Sequence, residues 1–204
     1  MVTHLLELQS ELERLFDLCN DKYYAGTLQK PVIIIQAKRR ASKHMGWCTL
    51  SKVWKNYQDN EFFFEIAITA EYLDRPVVEI CATLLHEMVH LHCVENGVQD
   101  TSRDGRYHNK KFKGVAEQHG LIVSREPSSG WSSTKLNDEA QVFINYVVRK
   151  EVFVLARERH DQENANPQRG NSIKYVCPLC RCIVRATSEV NIVCGDCSVD
   201  FIRV

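Results

Sequence analysis

His86 and His90 stand four positions apart in the run Leu84-Leu85-His86-Glu87-Met88-Val89-His90. On an α-helix that spacing puts both imidazoles on one face, one turn apart, where they can reach a single ion. Glu87 follows the first histidine, so its carboxylate can lie beside the open position of that ion. The three residues make an H-E-x-x-H pattern. With zinc bound there, Glu87 would take a proton from a water whose pKa the ion lowers to about 7, and the hydroxide would attack a polarised peptide carbonyl. The flanking residues are nearly all apolar, and burying three ionisable groups among them is costly without compensation. A metal supplies that compensation. The competing reading is a helix with a wet polar edge at positions 86, 87 and 90.

A catalytic zinc keeps three protein ligands and leaves the fourth place to water. His108 is the expected third ligand, because it lies past a polar loop at the start of the next helix, which could fold back on the first. His92 is two positions from His90 and should point away from that face. His119, near the end of the second helix, is the alternative ligand.

A second constellation lies near the C-terminus. Cys177-Pro178-Leu179-Cys180 and Cys194-Gly195-Asp196-Cys197 are two C-x-x-C pairs separated by thirteen residues. Each pair can offer two thiolates to one tetrahedral ion, with a short hairpin between them; this is zinc-ribbon spacing. Such a closed site is structural, since it leaves no position for chemistry. Cys182 is a spare thiol that could exchange with Cys180. Cys19, Cys48, Cys81 and Cys93 are dispersed and read as small buried apolar residues.

The elements that must hold these groups follow from hydrophobic period. Residues 4–20 carry Leu5, Leu8, Leu12, Leu15 and Phe16 at helical spacing, with Asn20-Asp21 and Gly26 as breakers. Val32–Ile35, the stretch from Gly46 and Phe62–Ile68 read as strands, with a polar hairpin loop over 55–61. A helix apolar almost all round is expected from Pro76 to about Asn96, stopped by Gly97. Residues 98–107 read as a polar loop, 109–119 as a short helix, and 124–137, rich in Ser with Pro127 and Gly130, as another loop. A long helix is expected from Asp138 to about His160. Residues 161–174 have linker composition, and 175–204 form the cysteine unit.

Composition bounds the partners. The 204 residues, 44% hydrophobic and 25% charged, suffice for one good-sized core without disulfides. Formal net charge is +0, so no global field advertises nucleic acid and any affinity must be local. Lys38, Arg39, Arg40, Lys43 and Trp47 interleave cations with an aromatic ring, and Trp54, Lys55 and Tyr57 repeat the mixture. Such a surface can stack single-stranded bases while cations hold the backbone; a solvated hairpin with one core Trp fits the same residues. Arg181, Arg185 and Arg203 add cations to the ribbon, offset by Glu189, Asp196 and Asp200. The opening residues do not read as a signal peptide, and no stretch approaches the ~18 apolar residues of a bilayer span. A cytoplasmic protein with reduced thiols and no membrane partner is expected.

The run from Leu84 to His90, followed by Asp104-Gly105-Arg106-Tyr107-His108-Asn109-Lys110-Lys111-Phe112, resembles the SprT-like (Spartan-type) metalloproteases. That family pairs an H-E-M-x-H helix with a D-x-x-x-H-G-x-x-F segment, whose glycine is Asn109 here. Leu15-Phe16, Asn20, Tyr24 and Gly26-Thr27-Leu28 resemble its opening helix, and the terminal cysteines its frequent ribbon. The resemblance implies an α+β, zincin-like metalloprotease domain over 1–160, its active-site helix packed on a small antiparallel sheet, with a four-cysteine zinc ribbon at 175–204. It implies a zinc endopeptidase with Glu87 as general base and one catalytic and one structural Zn2+. Its substrates would be proteins, DNA-bound or DNA-crosslinked ones among them. Two other functions fit the residues: a non-catalytic zinc-containing DNA- or protein-binding regulator, and a zinc hydrolase acting on something other than protein.

Overall fold

The computed structural model describes residues 4–37, 44–103, 105–158 and 172–204. The chain divides into two compact units, the first ending at Glu158 and the second running from there to Val204.

The first unit opens with α1 (His4–Tyr24), which buries Leu8, Leu12, Leu15, Phe16 and Cys19, one or two per turn. It runs past the expected break because Asn20 brackets the following turn instead of ending the helix. Its side-chain amide donates to the Leu28 carbonyl at 3.0 Å and its oxygen accepts the Leu28 N–H at 3.2 Å. The helix stops where Ala25 and Gly26 take φ of 53° and 69°, a left-handed turn that suits glycine.

β1 (Val32–Gln36), β2 (Gly46–Cys48) and β5 (Glu65–Thr69) form a sheet in the order β1-β5-β2. Central β5 buries Ile66, Ala67 and Ile68. β1 runs parallel to it and β2 antiparallel, so the sheet is mixed and not the antiparallel one expected. The strand expected over 62–68 is broken at Phe64. Its first part, β4 (Phe62–Phe63), pairs instead with β3 (Trp54–Lys55) as a separate exposed hairpin.

α2 (Val77–Glu95) is the hub, touching β2, β5 and the later strand Gly130–Leu136 as well as the other helices. Pro76 precedes its first residue, where a missing N–H is no loss. At its end the Val98 N–H returns to the Cys93 carbonyl at 2.8 Å while Gly97 takes φ 65°. By length and apolar composition α2 could cross a membrane, contrary to expectation, but most of it is buried inside the protein. Its apolar girth belongs to a core helix.

Two further expectations fail, each for a physical reason. Residues 124–137 are not a loop but most of a hairpin, β8 (Leu121–Glu126) and β9 (Gly130–Leu136). Leu121, Val123 and Leu136 are buried anchors at alternate positions, and the hydroxyl-rich residues between them occupy half-buried strand sites. Only 127–129 turn. The polar loop over 98–107 likewise contains β6 (Thr101–Ser102) and ends in β7 (Tyr107–His108), giving a sheet β6-β7-β9-β8. α3 (Lys110–Gln118) follows directly.

The long helix expected from Asp138 stops early, as α4 (Asp138–Val147). Buried Glu11 of α1 captures the chain there. Arg14, paired with Glu11 at 2.6 Å, donates to the Val147 carbonyl, and the Arg149 N–H donates to Glu11 at 2.9 Å. Val152 and Phe153, which extend the helical pattern in sequence, pack on the core from a 3-10 turn and extended chain.

The second unit holds β10 (Ile173–Val176), β11 (Ile183–Ala186) and β12 (Ile202–Arg203) in the order β11-β10-β12. Among its described residues, those buried are Tyr175, Cys177 and Cys194. That is too little apolar area to hold thirty residues without help.

Candidate metal centre

His86 and His90 project from successive turns of α2, and His108 comes from β7. Their Nε2 atoms form a nearly equilateral triangle: His86 to His90 3.2 Å, His86 to His108 3.2 Å, His90 to His108 3.1 Å. A tetrahedral ion with nitrogen ligands at about 2.0–2.1 Å separates those ligands by about 3.3 Å. Three neutral imidazoles whose Nε2 lone pairs converge at this spacing fit a divalent cation of the zinc class. His119, the alternative ligand, lies elsewhere, stacked on Tyr24 with centroids 4.3 Å apart and its Nδ1 2.6 Å from the Val115 carbonyl. His92 faces His119, away from the triangle.

The outer nitrogens orient the rings. His90 Nδ1 donates to Asp100 at 2.5 Å, and His86 Nδ1 lies 3.0 Å from the Thr134 hydroxyl on β9. Either contact, with the proton on Nδ1, leaves Nε2 free to ligate. His108 Nδ1 is buried with no hydrogen-bond partner among the described residues. Phe112, fully buried on α3, packs its ring against all three imidazoles, with centroids 4.6–4.9 Å away. Asn109, standing where the family has glycine, caps α3 by accepting the Lys111 and Phe112 N–H groups. Its own N–H donates to the Asp100 carbonyl at 2.9 Å. One residue therefore ties the ligand strand, the Phe112 helix and the Asp100 loop together.

Electrostatics favour the neutral, ligating form at two of the three imidazoles. Burial, with the neighbouring imidazoles, holds His86 well below the usual histidine range and His108 at about 4. Burial also opposes protonation of His90, but the hydrogen bond to Asp100 and the charges of Glu87 and Asp100 outweigh it and raise its pKa. Glu87 is 5% exposed, and burial pushes its carboxyl up to about 7. The Cys48 backbone N–H works in the other direction, favouring the charged form. Gly46 makes room: a Cβ there would fall 2.9 Å from the Ala67 carbonyl oxygen and 3.1 Å from Glu87 Oε1. No side chain larger than hydrogen fits between β2 and the carboxylate.

In the second unit the sulfurs of Cys177, Cys180, Cys194 and Cys197 all lie within 4.8 Å of one another. Cys180 and Cys194 are 3.7 Å apart, the separation of about 3.75 Å that a tetrahedral zinc with sulfur ligands near 2.3 Å imposes. The two turns repeat one backbone pattern. Cys177 N–H donates to the Cys182 carbonyl and Arg181 N–H to Cys177; Cys194 N–H donates to Val199 and Ser198 N–H to Cys194. Arg181 and Ser198 occupy matching left-handed positions, φ 65° and 56°. Cys182 thus corresponds to Val199, a residue used through its carbonyl, and its exposed thiol lies outside the ligand cluster.

The expected DNA-contacting residues are only partly described: Lys38, Arg39, Arg40 and Lys43 lie outside the described residues. Trp47 is half-buried and its indole donates to Glu65 at 3.2 Å; Trp54 donates to the same carboxylate at 2.9 Å and is 44% exposed. Sequence reasoning missed Asp100 and Thr134, and met Phe112 only as the last residue of the family-like segment, without a role. Asp100 carried a weak signal, as an acid ten positions beyond the second histidine; Thr134 carried none.

No curated protein and no solved structure matches the chain. The profile of the SprT-like family matches residues 12–129, more than half of the chain, including α2, His108 and Phe112. The chain belongs to the SprT-like family.

Proposed function

We propose that this protein is a zinc-dependent endopeptidase in which His86, His90 and His108 hold the catalytic ion and Glu87 is the general base. The observation that carries this reading is a buried carboxylate, poised near neutrality, one residue from a converged triangle of imidazole nitrogens. Zinc, when bound, supplies Lewis-acid polarisation and acidifies a water. Glu87, with a pKa near 7, is matched to accept that water's proton and return it to the departing amine. β2 is an edge strand: among the described residues it pairs only with β5, so its other side can align an extended peptide beside Glu87. Cys177, Cys180, Cys194 and Cys197 would hold a second, structural zinc.

DNA-bound or DNA-crosslinked proteins are the proposed substrates. DNA would be reached through Lys38, Arg39, Arg40, Lys43, Trp47 and the cysteine unit; Trp54 and Tyr57 are exposed aromatic side chains of the first unit. The test is to measure zinc stoichiometry, then self-cleavage and cleavage of histone-like proteins with and without single-stranded DNA. Two zinc ions, with cleavage lost in Glu87→Gln, are expected. Proteolysis that survives in Glu87→Gln would remove the mechanism.

A further inference from the structure

The hydrogen bonds of β2 show which of its backbone groups are spent. The Thr69 N–H donates to the Met45 carbonyl at 2.9 Å and the Thr49 N–H to the Glu65 carbonyl at 3.0 Å, so positions 45, 47 and 49 bond toward β5. Gly46 and Cys48, the residues between, turn their N–H and C=O groups the other way, to the edge that no strand covers among the described residues. The Cys48 N–H is taken by Glu87. A Cβ on Gly46 would lie 3.0 Å from the Thr83 methyl and 3.1 Å from Glu87 Oε1, so this face of β2 is turned to α2. Glu87 therefore sits under the free edge, and Gly46 is left to exchange hydrogen bonds with a strand laid along it.

Trp47 belongs to the opposite face, since successive strand side chains alternate. Its indole N–H donates to Glu65 Oε1 at 3.2 Å, and Glu65 stands two residues before Ala67, the direct partner of Trp47 on β5. Trp54, on the separate hairpin, donates to Glu65 Oε2 at 2.9 Å. Both oxygens of one carboxylate are thus engaged by indole N–H groups, and one acid fixes two large rings. Trp47 is half-buried and Trp54 exposed, and neither ring packs on the core. Core burial does not account for where they are held.

We infer that Trp47 and Trp54 select the substrate: a strand laid along β2 packs one bulky apolar side chain on these indoles while its neighbouring residue lies at Glu87. The inference rests on the endopeptidase reading above and names the side chain that this site prefers. A residue directly opposite Trp47 shares its face of the sheet. Trp47 makes no backbone bond on that edge, so the two Cα atoms come within about 4.5 Å, the closer of the two antiparallel spacings. Residues opposite Gly46 or Cys48 project to the α2 face, and Gly46 has no side chain to obstruct them. The indole N–H groups and the Glu65 charge satisfy each other, so what the wall offers a visitor is ring surface. Ring surface fits a large apolar side chain, an aromatic one best. Trp47 is thereby assigned to the peptide, and the DNA contacts proposed above rest on the cations at 38–43 and the cysteine unit.

The experiment gives the full zinc-loaded chain a mixture of peptides of known sequence and reads the cut sites by mass spectrometry. The parent should enrich Phe, Tyr, Trp, Leu or Met about fivefold at one position beside the cut bond. Trp47→Leu, which keeps apolar bulk in place, should remove the aromatic part of that enrichment and leave the other positions and the zinc content unchanged. Trp54→Ala, at an exposed site, should lower it about twofold. Tyr146→Ala, on α4 and 90% exposed, should change nothing. Cleavage without any side-chain preference, a preference for Lys or Arg at that position, or a parent-like profile in Trp47→Leu would overturn the inference and leave the peptidase standing. A parent that cuts nothing would remove the peptidase instead. The same mixture is then passed over immobilised zinc-loaded Glu87→Gln chain. Aromatic enrichment among the retained peptides, abolished by adding Trp47→Leu, would keep the peptide site, and its absence would remove that too.

Discussion

The two clusters of this chain that could hold a metal ion are organised in opposite ways. The histidine centre is set into a large core. Its ligands come from a helix and a strand, Asp100 and Thr134 orient two of the rings, and Phe112 seals one side. The cysteine cluster rests on two turns related by a repeated backbone pattern, with Tyr175 as the only large buried side chain among the described residues of its unit. At the first, the fold brings the ligands together and an ion would add to a structure already made. At the second, the ligands are a main part of the little there is to bury, so an ion would be a precondition of the fold. The first also keeps a buried acid beside its ligands. Among its described residues the second keeps none.

The largest expected effect tests that division. Stripping zinc with a strong chelator should collapse the amide resonances of residues 173–204 to random-coil positions while those of α2 and β5 persist. Structural zinc sites of this class carry an apparent binding free energy of about 10–16 kcal/mol. Both units melting together, or neither, would erase the contrast. Next in size, Glu87→Gln should lower peptide cleavage by about 10²–10⁴-fold while leaving zinc content unchanged, measured by single-turnover assay and metal analysis.

The buried acid also predicts a pH effect on the zinc-free protein. The carboxyl's folded value of about 7 lies above its ordinary 4.5. The stability it contributes is therefore full below about pH 4.5 and lost as pH rises through 7. Glutamine mimics the protonated form at every pH. Zinc-free Glu87→Gln should thus exceed the parent by up to about 3 kcal/mol at pH 8 and match it near pH 4. An equal difference at both pH values, by thermal melting, would count against the buried-charge account.

Asp100→Asn should weaken metal binding at the histidine centre about 10–100-fold, with the cysteine site as an unaffected internal control in a dye-competition titration. Thr134→Val should do the same to a smaller degree, since a neutral hydroxyl contact is about half as strong as one to a carboxylate. A Thr134 effect as large as that of Asp100 would reverse their ranking.

How much of the fold and the site was legible in the chain depended on distance along it. α2 announces itself by period, and its two histidines and glutamate lie within five residues. The cysteine turns are equally local. By contrast, the hydroxyl-rich stretch 124–137 reads as a loop because its few apolar anchors are spread across a hairpin. The expected helix beyond Val147 reads as continuous because nothing nearby reveals that Glu11, 138 residues earlier than Arg149, will hold the chain there.

The sequence by itself determined the ligand types, their spacing and the helix that carries two of them, because these are relations between near neighbours. It also determined that the cysteine unit has too little apolar content to fold on burial alone. Only the tertiary structure decided which carboxylate turns toward His90, that a threonine 48 positions away reaches His86, and that His108 completes the triangle from a short strand instead of a helix. Those choices are set by how separate elements pack in three dimensions, and no local pattern encodes them.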